Sequence, residues 1–227
     1  MKHANRLIAL FLAAGLGFSA AARADVVPQT QPARRTLFVA AWTTTLKLQA
    51  PEGMCFVDRT MAAQTEDWNR LRKVAGRTHD QILLAAFMRC NQIDGTGNWE
   101  KGAPDYGIVT WLDPAIGATT KMSRRDYLDM REASFRAYAG TRFPHLTAPP
   151  AAHRTADDVS VVLTGMEPGP GGDPGIANPS AVVIATTLLR HVPVEFTLHY
   201  AGAHAPDAAA LSNMADTLAK QLILLNP

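Results

Sequence analysis

The segment HVPVEFTLHY, residues 191–200, decides the fold class of this chain. Val194, Phe196 and Leu198 alternate with polar residues, and this period of two is typical of a β-strand with one buried face. The preceding run, residues 181–189, is rich in β-branched and apolar residues, which also indicates a strand. We therefore predict two consecutive strands in the last third of the chain.

Further strands and three helices are predicted outside this segment. One amphipathic helix follows Asp58, and another begins at the S-x-x-D capping signal of Ser123 and Asp126. The third extends from about Asp207 to the C-terminus. The other strand-like runs are residues 37–49, 54–57, 82–88, 106–112 and 159–164. The pattern predicts an α+β fold with an antiparallel-dominated sheet of about six to seven strands covered by three helices.

Two of these runs carry an expectation about topology. Pro51-Glu52-Gly53 is a turn signal, so residues 37–49 and 54–57 are predicted to pair as a β-hairpin. The run 82–88 is continuously apolar, which is typical of a strand buried on both faces. We therefore place the run 82–88 at the centre of the sheet.

The first 24 residues have the three parts of a secretory signal peptide. Lys2 and Arg6 precede an apolar run of about a dozen residues, and Ala22-Arg23-Ala24 forms the cleavage motif. An uncleaved membrane anchor is the alternative, but a spanning helix needs roughly 20 apolar residues. We expect a flexible lead at 25–35, a single domain at 36–227, and a periplasmic or secreted protein.

Removing residues 1–24 changes the charge of the chain. The segment carries three of the 22 Lys and Arg residues and none of the 20 Asp and Glu residues. The mature chain is therefore close to neutral, which argues against a nucleic-acid-binding surface. No later segment is apolar and long enough to span a bilayer, so we expect no stable membrane span after signal removal.

Cys55 and Cys90 are the two cysteines of the chain. Disulfides persist in exported proteins, and closing this loop would restrict the unfolded state by about 3 to 4 kcal/mol. The alternatives are two buried free thiols or a redox pair, although no C-x-x-C motif is present. We predict a structural Cys55–Cys90 disulfide.

Two loop regions are candidate binding surfaces. Trp99 stands in a glycine-rich segment, where an exposed aromatic side chain would indicate a contact surface. The segment 165–175, which includes Gly171 and Gly172, lacks the lysine and spacing of a phosphate loop. We interpret it as a mobile loop, with a ligand-contacting flap as the alternative.

No pattern in the sequence identifies a catalytic or metal site. His191, His199 and His204 are candidate metal ligands, but on an extended strand His191 and His199 would be about 26 Å apart. Neither a G-x-S-x-G elbow nor an S-x-x-K motif occurs. We assign no catalytic residue and no cofactor. A hydrolytic site assembled from distant segments is the alternative, because one sequence does not reveal such a site.

The residues around the two cysteines resemble those of a known group of proteins. Residues 51–58 and 82–90 resemble the P-x-G-x-C…C pattern of small exported proteobacterial proteins of unknown function. The order of elements is similar to the PsbP/Mog1-type α/β/α sandwich, whose members include non-catalytic accessory proteins. This resemblance implies an accessory or binding domain for an unknown periplasmic protein or small molecule. A small periplasmic hydrolase is the alternative, and a metal-binding protein the third possibility.

Overall fold

A seven-stranded antiparallel β-sheet forms the centre of the fold. The structure is a computed structural model that describes residues 35–41, 43–75, 81–93, 105–112, 121–142, 151–155, 157, 160–167, 180–200 and 207–227. All of these residues belong to the unit Pro32–Pro227.

The described elements are nine strands and three α-helices. The strands are β1 (Thr36–Ala41), β2 (Thr44–Gln49), β3 (Met54–Phe56), β4 (Gln81–Arg89), β5 (Tyr106–Leu112), β6 (Ala151–Arg154), β7 (Val161–Glu167), β8 (Ser180–Leu189) and β9 (Val192–Tyr200). The helices are α1 (Thr65–Ala75), α2 (Arg124–Arg142) and α3 (Ala208–Leu225). The large sheet has the order β3-β4-β5-β9-β8-β7-β6, and β1 and β2 form a separate two-stranded sheet. The predicted α+β class is confirmed.

Both faces of the large sheet are covered. α3 and the β1–β2 sheet pack on one face, where Leu48, Phe196 and Leu218 belong to one buried cluster. On the other face, α2 packs over β7 and β8, and α1 packs over β4 and β5. The two helices of this second face therefore stand on either side of the central strand.

The predicted hairpin between residues 37–49 and 54–57 is wrong. The first run divides into β1 and β2, which pair with each other so that Ala41 lies opposite Thr44. β3 pairs with β4 instead, with Cys55 opposite Met88. The chain reverses between β1 and β2 without a Gly or Pro residue, so the sequence carries no turn signal at that point.

The predicted centre of the sheet is also wrong. β4 lies second from an edge, whereas β9 lies in the middle between β5 and β8. Ile82, at the start of β4, is 45% exposed, and only the second half of β4 is fully buried. A continuous apolar run indicates burial but not position within a sheet, which explains the error.

Capping residues set the helix starts. The predicted S-x-x-D capping signal of α2 is confirmed, because Ser123 Oγ accepts from the Asp126 amide at 3.1 Å and donates to the Asp126 carboxylate at 2.6 Å. The Asp207 carboxylate caps α3 by accepting from the Ala210 amide at 2.7 Å. Asp58 accepts from the Thr60 amide and does not cap α1, which begins at Thr65.

Asn226 attaches the end of α3 to the small sheet. Its side-chain oxygen accepts from the Lys47 amide at 2.8 Å, and its Nδ2 donates to the Lys47 carbonyl at 2.9 Å. Asn226 is 2% exposed, so these bonds are shielded from water. The amide side chain pairs with β2 much as a neighbouring strand would.

Candidate functional site

A row of buried polar side chains crosses the middle of the large sheet on the face that α1 and α2 cover. Thr110 of β5 and Thr186 of β8 both lie opposite Glu195 of β9. All three are buried, and Glu195 is only 2% exposed. The register of three neighbouring strands therefore places polar side chains side by side at a level where an ordinary core would be apolar.

Both carboxylate oxygens of Glu195 are hydrogen bonded. Arg131 Nη2 of α2 donates to Oε2 at 2.7 Å, and Gln81 Nε2 of β4 donates to Oε1 at 2.5 Å. The Arg131 side chain is 7% exposed, and its guanidinium lies 4.7 Å from the centre of the Phe135 ring. The result is a desolvated ion pair with bonds that offset part of the cost of burial.

A second chain of hydrogen bonds continues the row towards α2. The Tyr127 hydroxyl lies 2.6 Å from Thr186 Oγ1, and Thr186 Oγ1 lies 3.3 Å from the Val194 carbonyl oxygen. Tyr127 and Thr186 are both fully buried. α2 is therefore joined to β8 and β9 by polar contacts at two successive turns, through Tyr127 and Arg131.

The sequence contains a signal for this row that local patterns did not reveal as such. Tyr127, Arg131 and Phe135 recur every four residues, so Arg131 lies within the apolar stripe of α2. Charged residues in such a stripe usually have a buried partner. Met130, the residue directly before Arg131, is 38% exposed.

The interpretation of β9 as a strand with one buried face is also wrong. Glu195 and His199, on its polar side, are 2% and 4% exposed. β9 is the central strand and both faces of the sheet are covered, so even the polar side chains of β9 are shielded from water. The sequence period indicated the faces correctly but not what packs on them.

His199 belongs to a second buried contact on the same face. Its ring stacks on that of Tyr106, the residue opposite it on β5, with centroids 4.5 Å apart and an angle of 13° between the planes. The two rings are 4% and 6% exposed. The His199 ring is therefore withdrawn from solvent and packed against an aromatic neighbour.

The structure does not bring the histidine candidates together. His191 is an exposed turn residue before β9, whereas His199 is buried near the other end of that strand. His204 lies outside the described residues, as do Trp99, Gly171 and Gly172. Within the described ranges, no group of three His, Cys, Asp or Glu side chains could hold a metal ion.

The predicted disulfide is confirmed. Cys55 of β3 and Cys90, directly after β4, are bonded with their Cα atoms 4.9 Å apart. Cys55 is 2% exposed, whereas Cys90 is an exposed residue at the start of a short 3-10 turn. The bond therefore connects a buried edge strand to the surface.

Among the described residues, two ionisable groups have clearly shifted pKa values. Burial raises the pKa of Tyr200 above its ordinary value of 10.0, Asp105 adds to this rise, and Arg89 opposes it. Hydrogen bonds to the carboxylates of Asp157 and Asp216 raise the pKa of Lys220 on the surface of α3. Neither group belongs to the buried polar row.

The chemistry of the buried row is that of a structural network. The Glu195 carboxylate accepts from Arg131 and Gln81 and has almost no contact with solvent. A general acid or base must reach a substrate proton within hydrogen-bond distance, and this carboxylate is enclosed between the sheet and α2. The row therefore fixes α2 and the strand register and presents no open reactive group.

No protein-family model matches the chain, and neither a curated protein nor a solved structure matches it. Among the described helices, none combines the length and apolar character needed to cross a bilayer.

Proposed function

We propose that this chain is exported to the periplasm or beyond and acts there as a non-catalytic accessory or binding domain. The Cys55–Cys90 disulfide is the observation that carries the proposal, because disulfides persist in oxidising compartments and are rare in the cytosol. The apolar segment and cleavage motif within residues 1–24 support the same location. Its partner is a periplasmic protein or a small molecule.

The buried polar row supports a non-catalytic role. Its carboxylate, Glu195, is held by Arg131 and Gln81 beneath α2, where it stabilises the fold. A binding domain needs a scaffold of this kind and an exposed contact surface. Among the described residues, Phe38 of β1 is 66% exposed, and it is the exposed aromatic side chain on which such a surface can be tested.

Export is tested by fractionating cells that express the whole chain and measuring the mass of the product. We expect a soluble periplasmic or secreted form that begins at Asp25 and carries one disulfide. A cytoplasmic product that retains Met1 or Lys2 at its N-terminus would contradict the proposal.

Binding is tested by site-specific photo-crosslinking in the same cells. A photoreactive phenylalanine replaces Phe38 or Trp99, and a matched control replaces Leu224, which is 80% exposed on the outer side of α3. We expect one adduct of defined mass from Phe38 or Trp99 and none from Leu224. No adduct at either test position, or the same mixture at all three, would argue against a binding domain.

A further inference from the structure

The two sulfur atoms of the disulfide lie in different environments. Cys55 lies in β3 between Met54 and Phe56, and all three residues are buried. Cys90 follows the last residue of β4, and its amide donates to the Gly53 carbonyl at 3.0 Å. Cys90 is nevertheless an exposed residue, because the chain leaves the sheet there in a 3-10 turn.

Thiol–disulfide exchange requires a specific direction of attack. A thiolate attacks one sulfur atom and displaces the other, so the attacking atom, the attacked sulfur and the leaving sulfur lie nearly in a line. Cys90 is an exposed residue, so solvent offers an external thiolate a path towards Cys90 Sγ. Attack on Cys55 Sγ would have to come through β3 or its apolar surroundings, where Val57 and Met88 are buried as well.

We propose that this disulfide exchanges through Cys90, and that Cys55 is the internal sulfur that leaves when the bond opens and closes the bond when it forms. In opening, the thiolate of an external dithiol bonds to Cys90 Sγ, the Cys55–Cys90 bond breaks, and Cys55 leaves as a thiolate that takes a proton. The second thiol of the reductant then attacks its own sulfur in the mixed disulfide and releases Cys90 as a thiolate.

Formation follows the same path in reverse. The Cys90 thiolate attacks the disulfide of an external oxidant and displaces one of its sulfurs. The Cys55 thiolate then attacks Cys90 Sγ and displaces the other, which leaves the oxidant reduced to a dithiol. The surface around Cys90 is therefore the contact site for a thiol oxidoreductase. This inference concerns the folded chain itself, so it stands independently of the proposed binding function.

The test compares the two single-cysteine variants, Cys55→Ser and Cys90→Ser, as purified whole mature chains. Each is mixed with glutathione disulfide, and the mixed disulfide is measured over time by mass spectrometry. We expect Cys90 in the Cys55→Ser variant to react at least about tenfold faster than Cys55 in the Cys90→Ser variant, because Cys55 needs local opening. The rates should converge in denaturant, which is the matched control. Equal rates in the folded variants would overturn the proposal.

A second measurement uses the unmodified chain, so it does not depend on the folding of either variant. The oxidised chain is treated briefly with reduced glutathione, excess iodoacetamide is then added to stop the exchange, and the peptides are mapped. Glutathione on Cys90 with an alkylated Cys55 is expected. Glutathione on Cys55 with an alkylated Cys90 would show the opposite order of attack and overturn the proposal.

Discussion

Glu195 places a carboxyl group at the middle of the sheet, opposite Thr110 and Thr186 and within reach of Arg131 on α2. Withdrawing a carboxylate and a guanidinium from water costs several kcal/mol, and their attraction offsets this only when the geometry is good and other bonds are satisfied. The bonds from Arg131 and Gln81 meet much of that condition. Removing one charged partner should therefore lower the free energy of unfolding more than removing both charges.

Arg131→Met tests this argument because methionine keeps much of the apolar stem and removes the charge. We expect the free energy of unfolding to fall by about 3 to 5 kcal/mol, since Glu195 would remain buried without its cation. The double variant Arg131→Met with Glu195→Gln removes both charges and should be more stable than Arg131→Met alone. Denaturant unfolding of the wild type, both single variants and the double variant measures the coupling. Additive losses would show that the pair does not act as a unit.

Ionisation of Tyr200 makes the free energy of unfolding depend on pH in the alkaline range. The pKa of its hydroxyl is raised in the folded state, chiefly by burial, so above the ordinary value of 10.0 the unfolded chain loses this proton first. The stabilisation is complete below pH 10 and is lost as the pH rises through the folded pKa. The pKa of Lys220 is also raised, so its deprotonation lowers the free energy of unfolding as the pH rises in the same way.

Tyr200→Phe isolates the contribution of the hydroxyl, because Lys220 is present in both proteins. We expect the unfolding free energy of Tyr200→Phe to fall less steeply than that of the wild type between about pH 9 and pH 12. The weak contact from the hydroxyl to Met214 Sδ, at 4.0 Å, changes the offset between the curves but not their slopes. Parallel curves would exclude Tyr200 as the titrating group.

Among the helices and strands, the sequence predicted which elements exist better than it predicted which strands pair with each other. The three helices, the Ser123 cap of α2 and strands such as β5 follow from local periodicity and capping residues, which the sequence displays directly. The pairing of strands does not follow from local patterns, because it joins segments that are distant in sequence. β3 pairs with β4, and β9 pairs with β5 as well as β8. The four residues of β6 directly follow Pro149 and Pro150, which are typical of a break in regular structure and give no strand signal.

The candidate site shows the same limit. Arg131 and Glu195 are 64 residues apart in sequence, and each has an ordinary local explanation: a helical arginine and the polar side of a strand. Only the packing of α2 beside β9, from where the Arg131 side chain reaches Glu195, turns them into a buried pair. The disulfide was predictable because the chain has two cysteines, which leaves one intramolecular pairing.

The turn between β8 and β9 is an element whose local conformation conflicts with its residues. Arg190 and His191 have φ values of 47° and 64°, in the left-handed region that disfavours residues with a Cβ atom. A two-residue hairpin of this type favours Asn-Gly. Arg190 also donates to the Pro227 carbonyl at 3.3 Å, whereas the His191 side chain is exposed, so His191 is the position to change.

His191→Gly should raise the free energy of unfolding by about 0.5 to 1 kcal/mol, because the relief of backbone strain exceeds the added entropy of the unfolded chain. His191→Ala is the matched control: it removes the same imidazole but keeps a Cβ atom in the left-handed region. Thermal and denaturant unfolding compare the three proteins. An equal gain from both variants would attribute the effect to the imidazole and not to the backbone.

At the scale of the whole molecule, long-range ties connect parts that are far apart in sequence. Asn226 bonds to Lys47 across 179 residues, and Arg190 bonds to the Thr45 carbonyl across 145 residues. The disulfide spans 35 residues and encloses α1 with β4. It fastens β3, a strand of three residues at one edge of the sheet that pairs with a neighbouring strand on one side alone.

Opening the disulfide should reduce stability without changing the folded structure. β3 keeps its pairing with β4, and Met54 and Phe56 remain buried in the core, so the main change is the greater freedom of the unfolded chain. That freedom corresponds to a loss of about 3 to 4 kcal/mol, or a melting temperature lower by roughly 10 °C for a chain of this size. Melting curves with and without reductant measure the shift, and circular dichroism should show the same secondary structure at low temperature. The double variant Cys55→Ser with Cys90→Ser should have the same melting temperature as the reduced wild type, and reductant should not change it. An unchanged melting temperature on verified reduction would mean that packing around β3 alone holds this edge of the sheet.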